Sequence, residues 1–224
     1  MLPLRDDNPS RRFPAVTLLL IGANLAVFVY EISLGPRLLE RFVFTYGAIP
    51  ASFLHSSPGS EPFPFPWITL LTSMFLHGGI MHLVGNMLYL WIFGDNIEDT
   101  LGPVKFLLFY LLCGGAAASV QIALRSDSTA PMVGASGAIA GILGAYALLF
   151  PGHRIQTLVF VFVFVRIVPM PALVLLGLWF LMQVVSAPSS GGAGVAFFAH
   201  IGGFITGMLL VGLFPRGRQE NVDT

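Results

Sequence analysis

The sequence predicts an all-α membrane protein with six transmembrane helices. Of its 224 residues, 55% are hydrophobic and only 10% are charged, and the mean hydropathy is +0.82. This composition is typical of a chain that lives in a bilayer rather than of a soluble globule. Several apolar runs approach the about 20 residues that a helix needs to cross the hydrocarbon core. The formal net charge is zero, so no nucleic-acid partner is indicated.

Six apolar segments define the predicted domain organisation. A cytoplasmic N-terminal segment, 1–13, precedes a membrane domain at 14–214, and a cytoplasmic tail follows at 215–224. No small-residue cleavage pattern follows the first apolar segment, which is therefore interpreted as an uncleaved span. The fourth and fifth spans are short for a crossing. The predicted spans cover about 14–31, 67–93, 104–123, 134–150, 171–185 and 195–214.

Two further segments are predicted to lie in the membrane interface. The loop 32–66 holds six prolines and amphipathic pieces such as 38–44, and it is too broken to cross. The segment 158–165 consists of eight apolar residues, nearly all β-branched or aromatic. It is too short for a helical crossing, and its composition favours a strand-like piece that rests against the helices.

Lysine and arginine indicate on which side of the membrane the loops lie. With six spans and the N-terminus inside, eight basic residues fall on the inner side and three on the outer side, as the positive-inside rule describes. Both termini are therefore predicted to be cytoplasmic. If 158–165 crossed the membrane, every later loop and the C-terminus would lie on the opposite side. The inner set is Arg5, Arg11, Arg12, Lys105, Arg154, Arg166, Arg216 and Arg218, and the outer set is Arg37, Arg41 and Arg125.

Polar residues cluster at one depth of the predicted bundle. His77, His82, Asn86, Ser136 and His200 all fall in the outer halves of three spans. Such groups are costly in a membrane and usually face a bundle interior or a watery cavity, so their common depth predicts one site. His82 and Asn86 share a helix face, whereas His77 is expected to lie in the entry loop and to point elsewhere. Taken singly, each residue is more often a contact between helices than a catalytic group.

Ser136 lies in a glycine-rich stretch, 131–144, that predicts close helix packing. Its glycines recur at spacings of 3, 4 and 3 residues and form a stripe beside which another backbone can approach closely. His200 opens a similar face, and docking of the two faces would bring an imidazole to the hydroxyl. The simpler interpretation of the stripe alone is a packing seam with Ser136 as an N-cap. The stripe is Gly134, Gly137, Gly141 and Gly144, and the facing glycines are Gly203 and Gly207.

A serine beside a histidine suggests nucleophilic catalysis. Serine is a weak nucleophile unless an adjacent base takes its proton, and histidine suits this role because it titrates near neutral pH. An acid that could orient the histidine is missing from the predicted site, and nothing marks Asp127 for this role. The residues therefore predict a dyad of Ser136 and His200.

The same site holds donors for a developing oxyanion. His82 and Asn86 carry side-chain N–H groups, and the backbone N–H of Ser136 is free by its position at a helix start. The chain has one cysteine, Cys113, so a metal site built on cysteines is excluded. The predicted chemistry requires no metal and no cofactor.

Taken together, these residues resemble the rhomboid family of intramembrane serine proteases over about 67–207. G-x-S-G alone would be a weak match, but four motifs in the right order are specific. Gly134-Ala135-Ser136-Gly137 matches the family's G-x-S-G; His77, His82 and Asn86 match its H-x-x-x-x-H-x-x-x-N; Ala199-His200-Ile201-Gly202-Gly203 with Gly207 matches its A-H-x-x-G-x-x-x-G; and Trp91-Ile92-Phe93-Gly94 with Glu98 and Gly102 resembles its turn between the second and third helices.

The resemblance implies a role for each matching residue. Ser136 would be the nucleophile and His200 the general base, with His82, Asn86 and the Ser136 N–H as the oxyanion hole. His77 would support the site or its water. The loop 32–66 would be the membrane-embedded first loop, and the fifth span with the loop 186–194 would form a lateral gate and cap. The implied partners are transmembrane-helix substrates and membrane lipid.

Two departures from the family pattern stand out. The first loop lacks the Trp-Arg pair of some members. Ala140, one turn after Ser136, replaces an aromatic residue that packs on the catalytic histidine in many relatives, so His200 must be held by other contacts. Neither change removes a chemical group, and activity is expected.

Two other function classes compete with the protease. A rhomboid-like pseudoprotease would bind transmembrane helices without cleaving them, but the intact Ser136 and His200 argue against it. A small transporter would predict an internal repeat, and none is visible in the sequence. The compact six-span form suggests, by resemblance only, a prokaryotic plasma membrane.

Overall fold

A computed structural model describes residues 1–54, 66–161, 164–189 and 195–214. The described part is mostly helical, with nine α-helices, three β-strands and two short 3-10 turns. The helices are α1 Ala15–Ser33, α2 Pro36–Tyr46, α3 Ala51–Leu54, α4 Pro66–Thr72, α5 Ile80–Leu101, α6 Pro103–Leu124, α7 Ser136–Leu149, α8 Ala172–Ser186 and α9 Phe197–Val211. The strands are β1 Leu2–Asp6, β2 Arg154–Val161 and β3 Phe164–Pro171.

The helices suit a membrane protein. In the described part of the chain, α1 and α6 are each long and apolar enough to cross a bilayer. The pair Pro66–Phe75 and Ile80–Leu101 would add a third crossing if it acts as one bent span. The apolar helices α7, α8 and α9 are shorter, with 14, 15 and 15 residues. The membrane class is confirmed, and the count of six crossings stays a prediction.

The second predicted span is broken rather than continuous. Its two halves meet at an angle of 83°, because Gly79 adopts a φ of 153° that other residues rarely reach and starts α5 afresh. The interpretation of 91–94 as a turn was wrong, since these residues lie inside α5. The turn to α6 lies at Gly102, which has a φ of 79°.

A three-stranded antiparallel sheet lies at the end of α7 that is remote from Ser136. The described parts of the segment 158–165, residues 158–161 and 164–165, are strand-like, as predicted, because β2 pairs with β3 there. The pairing of the N-terminal strand β1 with β2 was not predicted. Tyr146 of α7 donates a hydrogen bond of 2.6 Å to the Asp6 carboxylate, and burial raises the pKa of Asp6 to about 6. The N-terminal strand is thus tied both to the hairpin and to the central helix.

The last turns of α5 hold the start of α1. The Glu98 carboxylate accepts hydrogen bonds from the backbone N–H groups of Val16 and Thr17, at 2.9 and 2.8 Å. An anion at these free N–H groups also complements the positive end of the helix dipole. Asp99 accepts from the N–H of Arg12 at 3.1 Å. Glu98 therefore anchors the first helix, and both Glu98 and Asp99 already accept hydrogen bonds from the chain at the start of α1.

Helix α7 is the centre of the bundle. Every residue from 138 to 147 is buried, and the helix packs against α5, α6, α8 and α9. Its contact with α9 is a glycine seam in which Gly144, Gly203 and Gly207 each face a backbone carbonyl of the other helix. A Cβ on Gly207 would overlap the carbonyl oxygen of Gly141, and one on Gly203 would overlap that of Gly137. The two backbones therefore touch directly.

Several sequence-based predictions fall outside the described residues. These are part of the first loop, 55–65, part of the proposed cap, 190–194, and the C-terminal tail, 215–224.

The seam predicts a strong asymmetry between two helical glycines. Gly207→Ala places a methyl group against backbone that cannot rotate away, and we expect a loss of about 1–3 kcal/mol in the free energy of unfolding. Gly115→Ala in α6 is the matched control, because nothing lies within 4 Å of its Cβ position. It should be neutral or stabilise by up to about 1 kcal/mol, since alanine favours helices. Thermal unfolding in detergent measures both, and equal midpoints for the two variants would contradict the seam.

Candidate active site

The glycine seam brings Ser136 to His200. Ser136 is the first residue of α7, and its Oγ lies 2.8 Å from Nε2 of His200 on α9. Serine has one of the shortest polar side chains, so this contact requires the two backbones to be close. The seam at Gly137 and Gly203, one residue beyond Ser136 and three beyond His200, supplies that closeness.

The other side of the His200 ring is held by α8. Nδ1 of His200 lies 2.8 Å from Oε1 of Gln183. The Trp179 ring, one turn earlier on the same helix, lies with its centroid 5.8 Å from that of His200 at an interplanar angle of 36°. Trp179 therefore provides the aromatic contact that Ala140 does not. Gln183 was not predicted from the sequence, because only acids were expected to orient the histidine, although an amide in an otherwise apolar span is a visible signal.

His82 and Asn86 face the start of α7 from α5. Nδ1 of His82 accepts a hydrogen bond from the Gly78 N–H at 3.4 Å, which leaves Nε2 as the N–H of the neutral ring. A Cβ on Gly134 would lie 2.7 Å from His82 Nε2 and 3.6 Å from Asn86 Nδ2. Both donors therefore converge on the backbone just before Ser136.

Asn86 has an unused hydrogen-bond donor. The side chain is buried, and within the described ranges no group accepts a hydrogen bond from its Nδ2. Buried donors without a partner are rare and costly. One that lines a cavity beside Ser136 is available to an incoming acceptor.

The His77 ring packs against His82 rather than pointing elsewhere, which corrects the expected direction of this side chain, and its supporting role stays a prediction. It lies in the segment before α5, as predicted, and its ring packs edge-on against His82 with centroids 5.2 Å apart. Its backbone N–H lies 3.2 Å from Oε2 of Glu31 in α1. Glu31 is 1% exposed, so a buried carboxylate fixes the segment that carries His77.

Not every glycine of the predicted stripe belongs to α7. Gly134 precedes the helix with a φ of 120°, and its N–H donates to the carbonyl of Ser73 at 2.8 Å. Gly134 thus shapes the chain at the site, whereas Gly137, Gly141 and Gly144 face α6 and α9.

A cavity of about 700 Å³ contains the site. Its wall combines polar groups with apolar side chains, including Tyr89, Leu143 and Trp179. Within the described residues, no group of three or more His, Cys, Asp or Glu side chains could hold a metal ion. The arrangement suits a substrate that is partly apolar and presents one carbonyl to the polar end.

Comparison with known proteins identifies the family. The sequence model of the rhomboid domain matches residues 64–216, more than half of the chain. The chain belongs to the rhomboid family. This family includes intramembrane serine proteases as well as inactive members, and it acts on transmembrane substrates in membranes.

Individual relatives match this rhomboid at moderate identity. Rhomboid protein 1, mitochondrial, from Saccharomyces cerevisiae is 28% identical over 200 residues, which cover 85% of this chain and 50% of that protein. Rhomboid protease GluP from Bacillus subtilis is 36% identical over 144 residues, which cover 63% of this chain and 26% of that protein. RHOMBOID-like protein 12, mitochondrial, from Arabidopsis thaliana is 28% identical over 221 residues, which cover 91% of this chain and 59% of that protein. This rhomboid therefore spans about a quarter to three fifths of the length of these relatives.

The comparisons correct the expected location. The yeast relative and the Arabidopsis relative are both named as mitochondrial proteins. The prediction of a prokaryotic plasma membrane, which rested on the compact form of the chain alone, was wrong by this finding.

Gly134 predicts a second pair of variants. Gly134→Ala combines an unfavourable φ with a clash against His82, so we expect a loss of about 1–3 kcal/mol from backbone strain, with the clash in addition. Gly35→Ala is the control, because Gly35 has a φ of 58° but nothing within 4 Å of its Cβ position. Thermal unfolding should show the larger drop for Gly134→Ala. A drop of the same size at Gly35 would mean that His82 does not press on the backbone before Ser136.

Proposed function

We propose that this rhomboid is an intramembrane serine endopeptidase that cleaves transmembrane helices through a dyad of Ser136 and His200. The observation that carries the proposal is the distance of 2.8 Å between Ser136 Oγ and His200 Nε2 at the wall of a cavity of about 700 Å³. A nucleophile within hydrogen-bond reach of a base is the arrangement that acyl transfer needs.

The proposed reaction proceeds in two stages. Ser136 Oγ attacks the scissile carbonyl carbon while His200 Nε2 takes the hydroxyl proton. His200 then gives that proton to the leaving amine, and the C–N bond breaks to leave an acyl-enzyme. Water, deprotonated by His200, hydrolyses the ester and restores the Ser136 hydroxyl.

Three N–H groups are proposed to stabilise the oxyanion. They are Nε2–H of His82, Nδ2–H of Asn86 and the backbone N–H of Ser136, which lies in the first turn of α7 where the helix supplies no acceptor. The unused donor of Asn86 and the convergence of both side chains on Gly134 support this assignment. A donor of this kind is worth about 3–4 kcal/mol where it has been tested.

The substrate is proposed to be a transmembrane helix that unwinds locally. An intact helix offers no free carbonyl because its backbone groups bond to each other. The distribution of basic residues favours six crossings with both termini on the same side. This topology would place Ser136 near the opposite surface of the membrane. The mitochondrial names of two relatives favour a mitochondrial membrane as the location.

The test uses the purified full chain in detergent with a model transmembrane substrate. Cleavage near one membrane boundary, located by mass spectrometry, is expected for the wild type. Ser136→Ala and His200→Ala should reduce the rate at least about a thousandfold, since each removes a member of the dyad. Ser119→Ala is the control and should leave the rate within about twofold, because Ser119 is exposed on α6 and its Oγ donates only to the Gly115 carbonyl of the same helix.

Two results would contradict the protease. Cleavage that survives Ser136→Ala would assign the activity to another nucleophile or a contaminant. Substrate that binds but stays intact across several sequences would favour the pseudoprotease, which has the same helix-binding cavity without turnover.

A further inference from the structure

We propose that Gln183 is a positioning residue that fixes the tautomer of His200, so that a third side chain aligns the Ser136–His200 dyad. This inference rests on the proposed function for its kinetic consequence, but its structural part stands on the contacts of Gln183 alone. Gln183 lies on α8 and is 4% exposed.

The orientation of the Gln183 amide is fixed by a second contact. Its Nε2 donates a hydrogen bond of 3.2 Å to the backbone carbonyl of Trp179. A carbonyl oxygen can only accept, so the NH₂ end of the amide must face Trp179 and the oxygen must face His200. Oε1 lies 2.8 Å from His200 Nδ1.

This orientation dictates where the proton of His200 resides. Because Oε1 can only accept, Nδ1 of His200 must carry the hydrogen. In a neutral imidazole the other nitrogen then has a free lone pair. That nitrogen, Nε2, is the one that faces the Ser136 hydroxyl at 2.8 Å, so the hydroxyl donates and the ring is ready to take its proton.

The alternative tautomer would leave the site inactive. With the hydrogen on Nε2, His200 could not accept from Ser136, and Nδ1 and Oε1 would face each other as two acceptors. An aspartate does this work in the familiar serine protease triad, where loss of the correct tautomer is very costly. Here a neutral amide orients the ring without burying a charge, which suits a helix in a membrane.

Trp179 and Gln183 act on the ring from the same helix. They lie one turn apart on α8, with Trp179 at the ring face and Gln183 at Nδ1. Because α9 presents His200 while α8 orients it, the alignment of the base depends on the packing of α8 against α9. This explains how the site retains an oriented base with only a methyl group at Ala140.

The experiment combines ¹⁵N NMR of the histidine rings with kinetics on the full chain in detergent. His200 is assigned by the signals that vanish in His200→Ala. The wild type should show a protonated Nδ1 and an unprotonated Nε2 for His200. Gln183→Leu should lose this preference and lower kcat at least about tenfold with KM within about twofold, because the wrong tautomer cannot take the Ser136 proton. Gln183→Glu, which keeps an acceptor at the same reach, should retain the tautomer and most of kcat.

Gln121→Leu is the matched control for the tautomer. Gln121 is another buried glutamine that contacts α9, but its Oε1 accepts from the backbone N–H of Ala199 at 3.2 Å rather than from the ring. The tautomer of His200 should be unchanged in this variant, even if the free energy of unfolding falls, because Gln121 does not contact the ring.

The outcomes test the role of Gln183 and the protease activity separately. A wild-type His200 protonated on Nε2 would overturn the role of Gln183 without any variant, as would Gln183→Leu with unchanged tautomer and kcat. If Gln183→Leu does not fold, the wild-type spectrum and Gln183→Glu still decide. A wild type with the expected tautomer that cleaves no substrate would leave the positioning role intact and count against the protease.

Discussion

The direct contact between the backbones of α7 and α9 is the constraint on which the site depends. Any side chain at Gly203 or Gly207 would push the helices apart. A serine and a histidine on separate helices can share a hydrogen bond only if those helices approach this closely. The buried position of α7 among four other helices then makes the alignment a property of the whole bundle.

Three of the helices that pack against α7 contribute side chains to the site. Helix α9 brings the imidazole, α5 brings two N–H donors, and α8 brings the amide and the indole that hold the imidazole. The break before α5 allows the segment with His77 to fold against His82, and Glu31 at the end of α1 fixes that segment from below. Glu98 at the far end of α5 binds the start of α1, so this carboxylate serves structure, and the hydrogen bonds of His200 within the described residues go to a hydroxyl and an amide.

Much of this arrangement could be predicted from sequence because it follows from local spacing. The glycines near Ser136 and His200 predicted a close helix pair, and the spacing of His82 and Asn86 predicted their common face. The strand-like character of 158–161 and 164–165 followed from the composition of that segment. The roles of these residues in catalysis stay predictions.

Other features depend on contacts that spacing does not reveal. The 83° bend was not predicted, because the mean hydropathy of a long apolar span does not register a single break within it. The pairing of β1 with β2 joins residues about 150 positions apart along the chain. Gln183 was not predicted because the residue that orients a catalytic histidine is usually an acid, and Trp179 was not predicted because it contacts His200 from α8 rather than from α7. The location was misjudged because chain compactness says little about the compartment.

The most direct test of the account is the site and rate of labelling by a fluorophosphonate, which reacts with activated serines irrespective of any protein substrate. Peptide mapping of the full chain in detergent should find one adduct, on Ser136, that forms quickly in the wild type and fails to form in His200→Ala. An adduct on another serine, or equal labelling of Ser136 with and without His200, would contradict the claim that the imidazole activates this hydroxyl.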